Sequence, residues 1–258
     1  MPVVPAAENN GFRNELLRAL PADETQRLRP HLAPVTLVVS QVLHEAETPI
    51  DEVFFLESGL AFLTADTRDH GLVEVGTTGR DGFVGLPVLL SPEPVSVHRA
   101  FVQVPGRAYR LRAAVLREMA GVLPTLRDRC LRYIQVMLMQ NSQIAACNAR
   151  HELPGRLARW LLMSRDRIDG DDLPMTQEFL STMLGVRRAG ISVVANALQT
   201  QGLIRQSRGR ITVLDRAGLE EKACTCYRMI ERNRARIMGT ARTADAPPGP
   251  ESEARRSS

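Results

Sequence analysis

The chain has 258 residues, of which 44% are apolar, and a formal net charge of +4. That is enough for one large domain or two modest ones. Four scattered cysteines exclude a disulfide scaffold, and the absence of any apolar run of about eighteen residues excludes a membrane-spanning helix.

The opening stretch, MPVVPAAENN, has no basic start and no apolar stretch. It is expected to be loose and not to be a secretory signal, which places the protein in the cytoplasm. From Phe12 to Leu32, Leu16, Leu17 and Leu20 followed by LPADETQRL predict two short helices, with Pro21 starting the second. Between about Val35 and Arg112, short apolar runs recur (TLVV, QVL, VFFL, LAFLT, LVEV, FVQV), separated by Gly, Pro, Asp and Thr. Regular short strands with frequent turn signals predict an antiparallel barrel or sandwich.

Helical character follows. LRAAVLREM is a short amphipathic piece, and Pro124 suits the first turn of a helix that runs uninterrupted to about Asn148, roughly 36 Å. Along it Leu131, Ile134, Leu138, Asn141, Ala145 and Asn148 alternate at spacings of three and four, a heptad-like seam. Such a seam either packs on its own domain or pairs with the same helix of a second protomer. RLARWLL starts a further helix near Pro154, and Thr176 is a predicted N-cap with Glu178 in the first turn. From about Thr240 the sequence TARTADAPPGPESEARRSS has the composition of a disordered tail.

Charge is distributed unevenly. Phe179 to Leu214 contains no Asp or Glu but holds Arg187, Arg188, Arg205, Arg208 and Arg210. Such a window suits a polyanion, although a solvated basic face has the same composition. Within it, Gln177 to Asn196 reads as helix, turn, helix. Ser181 is the small residue where the helices cross, and Gly185 is the turn. Leu180, Leu184, Val186, Ile191 and Val194 fill the wedge. Arg187 and Arg188 then open a recognition helix, with Ser192, Val193 and Asn196 on its exposed face. Downstream, LIRQSRGRITVL reads as two strands around Arg208-Gly209, either a wing whose arginines follow phosphates or an ordinary hairpin.

This order of parts resembles the Crp/Fnr family of bacterial transcription regulators over roughly residues 13–230: VFFLESG and GTTGRDGFVG, then the long helix, RLARWLL, TQEFLSTMLGVRR and GLIRQSRGRI. The resemblance implies an α+β fold. Its parts are an N-terminal antiparallel β-roll or jelly-roll barrel of the cyclic-nucleotide-binding type (13–122), a dimerisation helix (123–150) and a C-terminal winged helix-turn-helix (151–230), with the tail at 240–258. The implied function is a sequence-specific DNA-binding homodimer. Double-stranded DNA, RNA polymerase and a small-molecule effector are its implied partners, with no membrane. Thr176, Gln177, Arg187, Arg188, Ser192, Val193, Asn196, Arg208 and Arg210 become the expected DNA-binding residues. Leu131, Ile134, Leu138, Asn141 and Ala145 become the dimer seam.

The effector pocket departs from the family. Gly85 is in place, but Leu86 stands where a ribose-binding Glu is expected, and Arg99 is followed by Ala100 rather than Ser. Leucine cannot pair a ribose hydroxyl, so cyclic AMP is expected to bind weakly or not at all. In the reader, Ala189 and Val193 replace the acidic residue and second arginine of the family pattern, so the DNA site is expected to differ as well.

No cysteine precedes Cys130, so an N-terminal iron–sulfur set is absent. Cys224-Thr-Cys226 reads as too short and isolated for a four-ligand site. Cys130 and Cys147 read as core or seam residues, with a thiol switch as the other reading. His31, His44, His70, His98 and His151 show no ligand spacing for haem, and no cofactor or metal is expected. Nothing resembles a phosphate loop or a nucleophile motif, and the acidic Asp169, Asp171 and Asp172 read as a solvated loop, so no catalytic residues are expected. The competing reading is a cytosolic small-molecule or redox-sensing binding protein whose basic domain contacts a protein or RNA partner.

Overall fold

The structure, a computed structural model, describes residues 10–68 and 71–240. The expected loose start up to residue 9 and the tail from 241 lie outside the described residues.

Asn14 caps the first helix, α1 (Glu15–Arg18), its side-chain oxygen accepting from the amides of Leu16 and Leu17. Pro21 is the N-cap of α2 (Ala22–Leu28), where its missing amide costs nothing. Strands follow: β1 (Ala33–Leu37), β2 (Val42–His44), β3 (Thr48–Pro49), β4 (Glu52–Leu56), β5 (Leu60–Asp66), β6 (Leu72–Thr78), β7 (Phe83–Val84), β8 (Val95–Ser96), β9 (Arg99–Val104) and β10 (Gly106–Arg112). The run TLVV stops at Leu37, leaving Val38 and Val39 exposed.

These strands form antiparallel sheets in the orders β1-β10-β4-β7 and β2-β9-β5-β6, with β3 and β8 as a separate pair. The fold is therefore a roll of open sheets rather than a closed barrel. At one edge β7 is two residues long and passes into a 3-10 turn, Leu86–Leu89, whose Pro87 has no amide to extend a ladder.

The continuous apolar runs have a geometric cause. Successive strand residues face opposite sides, and β4 and β5 are covered on both. Phe54, Leu56 and Ala61 point into the core between the sheets, with Leu37, Val84, Ala100, Val102 and Ala108. Val53 and Phe55 point out against α1, α2 and the helices that follow the roll. Leu60 and Phe62 point out on the other side, into the core of the C-terminal part.

After β10 come α3 (Ala113–Val122) and the long α4 (Pro124–Arg150), which begins on Pro124 as a first-turn residue. Tyr133 of α4 is buried beside Gly82, where an added Cβ would sit 1.8 Å from the ring, and its hydroxyl meets the Thr78 hydroxyl at 3.1 Å. The C-terminal part is α5 (Leu153–Arg165), β11 (Asp172–Leu173), α6 (Gln177–Leu184), α7 (Arg188–Thr200), β12 (Ile204–Ser207), β13 (Arg210–Val213), α8 (Arg216–Lys222) and α9 (Cys226–Met238). Its sheet runs β11-β13-β12.

Phe62 of the roll stacks on Trp160 of α5, with centroids 5.8 Å apart, and meets Phe179 of α6 at 5.6 Å. One core thus joins roll and C-terminal part. Helix α9 continues past residue 230 and returns along α4. Met238 enters the N-terminal core, and the carbonyls of Met238 and Ile237 accept from Arg129 and Arg132.

Candidate nucleic-acid interface

Thr176 caps α6, its hydroxyl accepting from the Phe179 amide at 3.0 Å, with Glu178 in the first turn. The helix ends at Gly185, whose φ of +62° lies in the left-handed region that favours glycine. The Val186 amide reaches back to the Ser181 carbonyl at 2.9 Å, which closes the helix end. Arg187 then occupies the N-cap of α7 and Arg188 its first position. Leu180, Leu184 and Ile191 are buried between the helices, with Val186 and Val194 half-buried beside them.

Arg187, Arg188, Val193 and Asn196 are exposed on α7, Val193 at 70%. Ser192 is only half exposed, because its hydroxyl donates to Gln177 Oε1. Gln177 Nε2 donates to Gln206 Oε1 at 2.6 Å, and Gln206 Nε2 to Asn196 Oδ1 at 3.0 Å. A polar chain therefore ties α6, the hairpin and α7 together. Ser192 and Gln177 face each other rather than solvent, while the Asn196 amide keeps its donors. Gln206 and Gln199, whose side-chain oxygen accepts from the Gln206 backbone amide at 2.7 Å, were not legible as site residues. Glutamines carry no motif, and only the fold brings them together.

The hairpin β12–β13 turns at Gly209, with φ of +72°. Arg210 Nη1 pairs with Asp172 at 2.7 Å, and Thr212 donates to the same carboxylate at 2.6 Å. The Thr212 hydroxyl first, then Arg210, hold the Asp172 carboxyl below its ordinary range. The residues Asp169, Asp171 and Asp172 do not form a free acidic loop. Asp169 pairs with Arg13 and Arg80, Asp171 with Arg165, and Asp172 with Arg210. Arg208 enters no ion pair or hydrogen bond among the described residues. Arg188 Nε lies 3.6 Å from Glu178 Oε2, both exposed. Between the start of α6, Arg188 and the hairpin lies a groove of about 720 Å³, lined by Thr176, Gln177, Arg188, Arg208 and Arg210 among others.

The expected effector pocket looks different in space. Gly85 adopts φ of +112°, and a Cβ there would meet Val53 Cγ1 at 2.6 Å. Leu86 packs against the N-terminal core, and Ala100 is buried opposite His44 across β2 and β9. Arg99 Nε sits 3.2 Å from Glu45 Oε2, a pairing in which both side chains are partly exposed.

On α4, Leu131, Leu138, Asn141, Ala145 and Asn148 are exposed, Leu138 at 67%, whereas Ile134 is buried within the chain. The opposite face, with Cys130, Tyr133 and Met137, packs on the N-terminal core.

Cys224 and Cys226 are not isolated, contrary to their spacing. Cys147 and His151 fold up to them, and the ligand atoms of all four lie within 4.8 Å of one another. Cys147 and Cys226 are buried and the other two half-buried. The hydrogen bond between Cys147 and Cys224 raises the Cys147 thiol to about 12 and lowers Cys224 to about 7. Cys147 and His151 stand four residues apart at the end of α4, where the His151 amide donates to the Cys147 carbonyl at 2.9 Å. That i, i+4 spacing was the available signal.

Comparison with known proteins supports the geometry. A model of the Crp-like helix-turn-helix domain matches residues 155–222. No curated protein matches the chain in sequence. Among solved structures, the c-di-GMP responsive global regulator CLP of Xanthomonas campestris is similar with a TM-score of 0.61 and 16% identity, over 75% of this chain and 99% of that one. FixK2 of Bradyrhizobium japonicum gives 0.61 and 14%, over 75% and 98%. A Crp-family transcriptional regulator of Thermus thermophilus gives 0.61 and 19%, over 73% and 96%. No helix among the described residues is long and apolar enough to cross a membrane. The fold is that of the Crp/Fnr transcription regulators, with residues 155–222 matching the Crp-like helix-turn-helix domain.

Proposed function

We propose that the chain is a sequence-specific DNA-binding transcription regulator that acts as a homodimer. The observation that carries this reading is the recognition face itself. Gly185 sets α7 across α6, and Arg187, Arg188, Val193 and Asn196 project from one exposed side of α7, next to a hairpin bearing Arg208 and Arg210. Residues at the start of such a helix reach base edges in the major groove. Arginine to guanine is the commonest specific contact, and a β-branched methyl suits thymine. Arg208, without an ion pair of its own, supplies a phosphate contact, while Arg210 shares its charge with Asp172.

The exposed Leu131 and Leu138 on α4 support the dimer. A two-fold pair of α4 helices covers them and presents two recognition helices to half-sites about 34–36 Å apart. The pocket departures at Leu86 and Ala100, with Glu45 on Arg99, argue for an effector other than cyclic AMP.

The test is selection of random duplex DNA by the purified protein near physiological salt. Enrichment of a two-fold symmetric site is the expected result. Binding that is salt-sensitive but enriches no sequence refutes sequence-specific recognition by the free protein.

A further inference from the structure

We propose that Cys147, His151, Cys224 and Cys226 form a Cys3His site for a single zinc ion at the joint between the long helix and the DNA-binding domain. The inference stands apart from the DNA reading and needs none of its residues.

The ligand set comes from two places. Cys147 lies in the last turn of α4 and His151 is its C-cap residue, immediately before α5. Cys224 and Cys226 lie where the chain passes from α8 into α9. Cys147 Sγ is 3.3 Å from Cys224 Sγ, and Cys226 Sγ is 3.5 Å from His151 Nδ1. A tetrahedral zinc centre with Zn–S bonds of about 2.3 Å holds its sulfurs about 3.7–3.8 Å apart, so side-chain shifts of at most about 1 Å complete the site. Iron–sulfur clusters spread their thiolates over several metal and sulfide atoms, and ligand atoms all within 4.8 Å of one another are too close for that. Three sulfurs and one imidazole in a tetrahedral set select zinc among the common divalent ions.

A second observation points the same way. Arg159 of α5 is 1% exposed, and its Nε has no hydrogen-bond partner among the described residues. Its side-chain hydrogen bond goes to the Met163 sulfur at 3.3 Å. Its charge faces Cys147, Cys224, Arg156 and Glu74, and Glu74 is itself engaged by Trp160 and Thr77. Arg159 forms no ion pair among the described residues, and a buried cation without one is costly. Three thiolates and a neutral imidazole around Zn2+ carry a net charge of −1, which supplies one. The outer shell is partly built as well, since Gln143 Nε2 donates to Cys226 Sγ at 3.1 Å.

Binding displaces protons from whichever of the three cysteines are still thiols, and the ions are released to solvent. Nothing is oxidised or reduced. The bound ion cross-links the α4–α5 joint to the α8–α9 passage, so it fixes the angle at which the DNA-binding domain leaves the long helix.

The experiment is metal analysis of the full chain purified under reducing conditions. The expected result is about one zinc per chain. Zinc is then removed by chelation and replaced with Co2+, which gives the tetrahedral d–d and thiolate charge-transfer absorption of a three-sulfur site. Cys226→Ser and His151→Ala lose zinc, while Cys130→Ala, altered outside the cluster, keeps it. Because Co2+ is added to the unaltered chain, misfolding of a variant does not blur the answer. The proposal is overturned by a chain that carries no zinc and gives no tetrahedral cobalt spectrum. Stoichiometric iron and sulfide, or a Cys147–Cys224 disulfide in a metal-free chain, overturn it too.

Discussion

Arg167 Nε stands 3.0 Å from Asp81 Oδ2, and both side chains are about 95% buried. Asp81 lies in the turn between β6 and β7 of the roll, and Arg167 just beyond α5, so the pair joins the two halves of the chain. Arg167 also donates to the Met163 carbonyl and to Gln140 of α4, while Arg234 of α9 reaches both Asp81 and Glu15. Burial pushes the Asp81 carboxyl up, but Arg167, Arg234 and the Gly79 amide together outweigh it and hold the carboxyl below its ordinary range. Removing one partner leaves a buried charge uncompensated, so Asp81→Ala is expected to destabilise by about 3–5 kcal/mol. Since the folded pKa is depressed, the stabilisation is full above the ordinary carboxylate pKa and fades as pH falls through the folded value. Asp81→Asn should therefore show a shallower loss of stability in acid. Urea unfolding between neutral and acid pH measures both, and a loss under about 1 kcal/mol for Asp81→Ala refutes the pairing.

Leu138 is two-thirds exposed on α4 and touches no core. A charge there has little effect on the fold of one chain, because exposed positions usually respond within about 0.5 kcal/mol. Inside a two-helix seam the same charge is buried against its own copy. Leu138→Glu should thus convert a dimer to a monomer in sedimentation equilibrium while leaving circular dichroism unchanged. A variant that remains dimeric places the interface elsewhere.

The Arg99–Glu45 pair leads to a third expectation. A cyclic nucleotide placed as the family resemblance implies would compete with Glu45 for Arg99 and would find Leu86, which offers no acceptor, at the ribose position. An unpaired buried hydroxyl alone costs about 1–3 kcal/mol. Calorimetry with cyclic AMP should give no saturable heat at micromolar protein, and a submicromolar Kd would contradict the reading.

What the sequence made legible was local. Thr176 as a cap, Gly185 as a left-handed turn and Pro124 as a helix start each follow from the residue's own backbone chemistry. The α4 stripe was legible from period alone, except at Ile134, which the fold buries. The long-range pairings were not legible. Phe62 on Trp160 joins the two halves, yet nothing in either segment names the other. Helix α9 was obscured because Arg234 continues the buried stripe of Tyr227 and Ile230, so a charge interrupts the apolar period. The cysteine cluster was missed for a similar reason, since its halves lie 75 and 77 residues apart along the chain.

Arg188 and Arg208 should separate the two kinds of DNA contact. Arg188 begins α7, the proposed recognition helix, and lies near Glu178 in a weak exposed pair that a DNA contact would readily replace. Arg188→Ala is expected to weaken binding to the selected site by about 1–3 kcal/mol and to relax preference at one base pair. Arg208 sits at the hairpin tip, where the proposed contact is to phosphate and would carry no sequence information. Arg208→Ala should weaken selected and scrambled duplexes alike and reduce the slope of log K against log salt by about 0.9. Fluorescence anisotropy on both duplexes across a salt series measures the two effects. If Arg208→Ala changes the preferred base, or Arg188→Ala changes only the salt slope, the assignment of reader and wing is reversed.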